Sequence, residues 1–159
     1  MNLIKEMAND AQIWIYQSNR ELTESEVSEI QKKLLVFVGE WAAHGNKLAA
    51  AAEVFYNRFI VLCADKNQAV PSGCSIDTSV HFIKEIEKEF QISLFDRMII
   101  AYEKNGKVNS FNFSQLDELL ANKVIDDNTF IFNNTITTKA ELENNWKIPL
   151  KNSWLKVTI

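Results

Sequence analysis

The chain alternates between a period of two and a period near 3.6 in its apolar positions. Residues 12–17 (QIWIYQ) are β-branched and aromatic and predict a first strand. Thr23-Glu24-Ser25-Glu26 reads as a capping box: the threonine hydroxyl accepts from a first-turn amide and the glutamate reaches back. Behind it, Val27, Ile30, Leu34, Phe37, Val38 and Trp41 form one apolar stripe on a long helix, with Gly45 expected as its left-handed cap. Residues 48–64 are apolar for longer than one ordinary strand. Tyr56-Asn57-Arg58 interrupts them, so two strands and a tight turn are expected, with one bent strand as the alternative. Asp77 is the expected N-cap of a second helix, Val80, Ile83, Ile86 and Phe90 pointing inward. Residues 97–103 (RMIIAYE) predict a strand, Asn105-Gly106 a type I′ turn, and residues 108–113 the returning strand.

Strand, helix, strand, strand, helix, strand is the ferredoxin-like βαββαβ order. It predicts an antiparallel sheet with helices on one face over residues 1–112. Residues 113–159 form a second, smaller α/β unit. Ser114 opens a helix carrying Leu116, Leu119 and Leu120, and residues 129–132 form a short strand. Thr138-Lys139-Ala140-Glu141 caps a helix that ends near Trp146, and residues 154–159 form a last strand after Pro149. No repeat or low-complexity linker separates the two units, so the second is expected to pack on the first. The fold class is α+β.

Composition narrows the chemistry more than the fold. The 159 residues suit one domain with a small appended module. Lys+Arg 17 against Asp+Glu 21 leaves a formal charge of −4, the wrong sign for a general nucleic-acid binder. Only four glycines are present, at positions 39, 45, 73 and 106. A phosphate loop needs two glycines five apart followed by Lys and Ser/Thr, so that backbone amides can wrap the phosphates. Gly39 and Gly45 are six apart and lack the hydroxyl, so neither nucleotide nor other cofactor is expected. Lys5, Glu6 and Asp10 interrupt any apolar leader, and no apolar run approaches membrane-spanning length. A cytoplasmic location without a membrane span is the expectation.

Three groups of side chains stand out. Ser72-Gly73-Cys74 places a thiol just before the expected start of the second helix, where free amides lower a thiol pKa. His44 would lie at the same end of a ferredoxin-like sheet, so Cys74 and His44 are the catalytic candidates, against a plain packing role for the cysteine. His44, Cys63, Cys74 and His81 lack the short spacings of a structural zinc site, so no metal is expected. Arg20, Arg58 and Arg97 are the only arginines and fall at one rim of the expected sheet. Together they are candidates to bind a carboxylate or phosphate, unless neighbouring acids already pair with them. Phe132, Trp146 and Trp154 are candidates for an interaction surface, or else complete the core.

Several strings carry a resemblance along nearly the whole chain: IWIYQSNR at 13–20, WAAHG at 41–45, SGCSIDTSVHFIKEIE at 72–87, LFDRM at 94–98 and FNNTITTKAELENNW at 132–146. The chain resembles a small bacterial family of unassigned function whose members are often labelled "ABC transporter ATPase". No Walker A loop or ABC signature is present to support that label. Residues 113–150, with FSQLDELLANKVIDDNTFIF, Trp146 and Ile148-Pro149-Leu150, are similar to bacterial GYF-like modules. That resemblance implies binding of proline-rich peptides or partner proteins. The resulting expectation is a non-catalytic protein-interaction or regulatory domain, not an ATPase, with a protein or peptide partner or a second copy of itself. The alternatives are a small-anion or metabolite binder using the arginines, and a thiol-dependent enzyme using Cys74 and His44.

Overall fold

The structure, a computed structural model, describes residues 3–66 and 69–155. Strand β1 (Gln12–Gln17) leads into helix α1 (Glu24–Glu40). The predicted capping box forms: the Glu26 amide donates to Thr23 Oγ1 at 3.1 Å and the Thr23 amide to Glu26 Oε1 at 2.9 Å. Ile30, Leu34 and Val38 are the buried stripe. Gly45 is not the cap of α1. The helix stops at Glu40 because Trp41 turns extended (φ −68°, ψ 128°) and enters the core at 2% exposure. Gly45 and His44, both left-handed (φ 78° and 51°), instead make the turn between β2 (Ala42–Ala43) and β3 (Asn46–Lys47).

Residues 48–64 resolve into β4 (Ala50–Phe55) and β5 (Phe59–Ala64), with Tyr56 and Asn57 left-handed between them. Helix α2 (Gly73–Phe90) begins earlier than predicted, so Asp77 is not its cap. Ser72 meets the free amides first: its Oγ accepts from the Ser75 amide at 3.1 Å, while the Ser72 amide donates to Ser75 Oγ at 2.7 Å. Strands β6 (Ile99–Lys104) and β7 (Lys107–Asn112) join through Asn105-Gly106, as the sequence predicts. Asn112, not Ser114, caps the single 3-10 turn ahead of α3 (Leu116–Ala121). Then come β8 (Phe130–Phe132), α4 (Lys139–Asn144) and β9 (Lys147–Pro149). Trp154 and Leu155 lie in a helical turn rather than the expected last strand, and residues 156–159 of that strand fall outside the described residues.

Among the described residues the strands make three antiparallel sheets, which with four α-helices give an α+β fold. The order β1-β5-β4 reproduces the first βαββ portion of the expected pattern, with β1 and β4 flanking β5. The single four-stranded ferredoxin-like sheet is not formed. A strand has two edges: the Asn105-Gly106 hairpin commits one edge of β6 to β7, and β8 takes the other through Tyr102↔Ile131 and Glu103↔Phe130. On that second edge the pairing covers only the C-terminal half of β6, and Ile99 meets β1 through the Gln17 side chain rather than through a backbone ladder. The second large sheet, β7-β6-β8-β9, therefore joins residues on both sides of position 112, where the sequence suggested a boundary.

The three-stranded sheet is covered twice. On one face Tyr16, Ile60 and Leu62 pack with Ile30, Leu34 and Val38 of α1 and Ile83 and Ile86 of α2. On the other, Ile13, Ala51, Phe59 and Val61 pack with Phe132, Ile136, Leu142 and Trp146. This is why all six residues of β5 are buried and why FIVLCA is apolar without alternation. A third cluster, including Ile100, Phe111, Leu116, Ile125 and Leu150, closes the second sheet under α3. No helix among the described residues is long and apolar enough to cross a membrane.

Candidate functional site: an open strand edge between two sheets

Backbone amides of an antiparallel strand point alternately to its two neighbours. The even positions of β1 face β5, and Ser18 continues that ladder by donating to the Arg58 carbonyl at 2.7 Å. The odd positions face away. At the start of this outer edge, the Ile13 amide donates to the Thr137 carbonyl at 2.9 Å and the Lys139 amide to the Ala11 carbonyl at 3.0 Å, around a single bridge between Gln12 and Thr138. At its far end, the Asn19 amide donates to the Ser93 carbonyl at 3.0 Å. Between these clamps, the Ile13 carbonyl and the amides and carbonyls of Ile15 and Gln17 have no partner among the described residues. Ile15 is half-buried and Gln17 is 8% exposed. Buried backbone polar groups are nearly always paired, so this edge is an unfilled demand for hydrogen bonds.

The edge opens onto a cavity of about 730 Å³. Its other walls include Leu94 and Ile99 ahead of and within β6, Phe132 and Ile136 around β8, and Trp154. The walls are tied by a relay of side chains. Gln17 Nε2 donates to the Ile99 carbonyl at 3.0 Å, Asn134 Nδ2 to Gln17 Oε1 at 2.9 Å, and Trp146 Nε1 to Asn134 Oδ1 at 2.9 Å. The chain could have continued the Thr137–Thr138 ladder along β1. It leaves instead at an Asx turn, where the Thr135 amide donates to Asn133 Oδ1 at 3.1 Å. Two charged residues line the cavity. The Asp96 carboxylate accepts from the Met98 amide at 2.9 Å, whereas Arg97 is exposed and makes no ion pair among the described residues.

The candidates named from sequence are distributed differently. Cys74 is exposed in the first turn of α2, and His44 is exposed at the tip of the β2–β3 turn. The indole N–H of Trp41 donates to the Ser75 carbonyl at 2.8 Å, so the two segments do share one end of the sheet. No hydrogen bond joins the thiol to the imidazole among the described residues. Nor does any group of three or more potential metal ligands occur among them. Cys63 is fully buried in β5, and burial pushes its thiol up to about 12. A disulfide-forming reagent at pH 8 should thus titrate one thiol in the native protein and two in denaturant; rapid labelling of both in the native state would contradict this burial.

The arginines do not combine. Arg20 makes a bidentate pair with Glu26 at 2.8 and 2.9 Å and donates to the Phe90 carbonyl at 3.1 Å. Arg58 is 9% exposed, donates to Ser110 Oγ at 3.2 Å and has a buried Nε with no partner. Burial pulls its pKa down, opposed by Glu21. Of the three, Arg97 alone has no side-chain hydrogen bond or ion pair among the described residues. Of the aromatic candidates, Phe132 and Trp146 are 2% and 5% exposed and belong to the core, whereas Trp154 is 42% exposed and lines the cavity.

The Arg20 pair has a consequence for pH. Its guanidinium, with the Thr23 amide, holds the Glu26 carboxyl down to about 2 from an ordinary value of 4.5. A carboxyl depressed in the folded state contributes stability above its unfolded pKa and loses it as pH falls through its folded one. Stability should therefore decline between about pH 4.5 and 2, by about 1–2 kcal/mol after solvent screening at the half-exposed Arg20. Glu26→Gln should flatten that part of the denaturation profile. An unchanged slope would remove Glu26 from the account.

Sequence reasoning missed Ile15, Gln17 and Asn134. Gln12 and Gln17 close an apolar strand at both ends, the one local hint of an edge. Comparison with known proteins found no family model, no curated protein and no solved structure that matches the chain.

Proposed function

We propose that this chain is a non-catalytic protein-interaction domain of the cytoplasm whose docking site is the outer edge of β1. The observation that carries the reading is the row of unpaired backbone groups at Ile13, Ile15 and Gln17, held open inside a cavity between two sheets. A ferredoxin-like sheet would place its fourth strand against this edge. Here β6 lies in the other sheet, beside β7 and β8, and no strand among the described residues fills the position. Strand addition suits such an edge: main-chain hydrogen bonds supply affinity and alternate side chains supply selectivity. The separation of Arg20 and Arg58 into internal pairings weighs against an anion site built from the three arginines.

Panning a random peptide display library against the folded protein tests the reading. Ile15→Pro is the control, because it removes an outward amide while leaving the β5 ladder, which uses the even positions, intact. Enriched peptides should lose at least about tenfold in affinity for that variant. An unenriched library, or binders indifferent to Ile15→Pro, would refute it.

A further inference from the structure

The groups left open on β1 specify what can fill the gap. Ile15 offers a donor and an acceptor, Gln17 offers both, and Ile13 offers only its carbonyl, its amide being held by Thr137. A residue directly opposite Ile15 in an antiparallel pair satisfies both of its groups at once. The span from Ile13 to Gln17 is about 13 Å at roughly 3.3 Å per residue, so about five residues of extended chain fill it. Every neighbour that β1 already has, β5 and the Gln12–Thr138 bridge, runs antiparallel to it. An incoming antiparallel strand would enter at Gln17 and finish against Thr137.

Among the described residues, the entry end carries both charges of the cavity lining, Asp96 and Arg97. Arg97 lies two residues before Ile99, whose carbonyl accepts from Gln17 Nε2. Asp96 beside it is turned to its own loop by the Met98 amide, which donates to Oδ1, and like Arg97 it makes no ion pair among the described residues. A guanidinium that is exposed, unpaired and next to the first residue of a strand site selects a carboxylate. Among the described residues the rest of the lining offers no second cation, and its walls at Leu94, Ile99, Phe132, Ile136 and Trp154 are apolar.

We infer that the β1 edge takes an extended, antiparallel peptide of about five residues, carrying an Asp or Glu side chain at its N-terminal end against Arg97 and apolar β-branched side chains behind it. The inference rests on the strand-addition reading above and adds the direction and the charge of the partner.

Three soluble, acetylated and amidated seven-residue probes of alternating Val and Thr test it. One carries Glu in the second position, one Gln there, and one Glu in the sixth. Fluorescence anisotropy with the full chain should give roughly five- to tenfold tighter binding for Glu in the second position than for either other probe. Arg97→Gln should erase that preference while leaving the Gln probe unchanged. Amide exchange read by NMR guards against an Ile15→Pro variant that fails to fold: in the wild-type chain, the Ile15 and Gln17 amides should slow when the Glu probe binds. Equal affinities for the three probes, or a preference that survives Arg97→Gln, would overturn the acidic, antiparallel assignment while leaving strand addition standing. Absence of binding by every probe, together with unslowed Ile15 and Gln17 amides, would overturn both. Ile15 protection that is already present without probe and disappears when residues 156–159 are deleted would assign the edge to the chain's own end, and overturn the proposal as well.

Discussion

Replacing Phe59 with alanine is expected to lower the stability of the chain by about 3–5 kcal/mol, the cost of removing a fully buried ring that cannot be refilled. Phe59 is the first residue of β5 and has no exposed surface. Its ring lies 4.8 Å, centroid to centroid, from both Phe132 and Trp146, and 6.2 Å from Tyr56. Phe132 comes from β8 and Trp146 from the segment between α4 and β9, while Tyr56 sits in the turn ahead of β5. The residue therefore joins the three-stranded sheet to the elements that cover its second face, rather than packing within one element. A cavity there loses dispersion contacts on three sides, and edge-to-face ring contacts add about 0.5–1.5 kcal/mol each. Phe59→Leu keeps most of the volume and should cost about 1–1.5 kcal/mol. Urea denaturation of the two variants checks this. A Phe59→Ala loss below about 1 kcal/mol would mean that the two faces of the sheet are not coupled through this ring.

The second large effect is expected at Trp41. Trp41→Ala should cost about 3–5 kcal/mol, and Trp41→Phe about 1–3 kcal/mol. The indole is 2% exposed and packs edge-on to Trp14 at 5.5 Å and against Phe37 at 5.2 Å. Its N–H reaches across 34 residues to the Ser75 carbonyl at 2.8 Å, inside the reciprocal cap that starts α2. Phenylalanine keeps an aromatic ring in the site but loses both that hydrogen bond and part of the indole's volume. The tether is therefore read from amide exchange at the start of α2 rather than from the stability difference. Amide exchange in the first turn of α2 should quicken in both. Unchanged exchange in Trp41→Phe would show that the cap holds without the indole.

These two residues mark the limits of what was readable along the chain. The stripe ending at Trp41 predicts α1 and its buried face. The helix end was misplaced because Gly45, a good local cap, is outweighed by the burial of Trp41 four residues earlier. The start of α2 was misplaced for a similar reason. Asp77 and Ser72 are both good caps, and only the distance of each hydroxyl or carboxylate from the first free amides chooses between them. The hairpins at Tyr56-Asn57 and Asn105-Gly106 were legible because their turns are local.

Local patterning also determined the α+β class, the Thr23–Glu26 cap, and the absence of a glycine loop for phosphates, whereas burial of FIVLCA on both faces emerged only with the tertiary structure. Local patterning could not determine which strand lies beside which. A strand's sequence records its period and burial but not the identity of the chain across its edge, and the energy of that pairing comes from residues distant in sequence. Tertiary structure decided that β6 pairs with β7 and β8 rather than with β1, that Arg20 and Arg58 take separate partners, and that Gln17, Asn134 and Trp146 tie two walls together. The open edge of β1 is a product of those decisions. It arises because β6, the strand that sequence order offered to β1, pairs with β7 and β8 in the other sheet, and its N-terminal half meets β1 only through the Gln17 side chain.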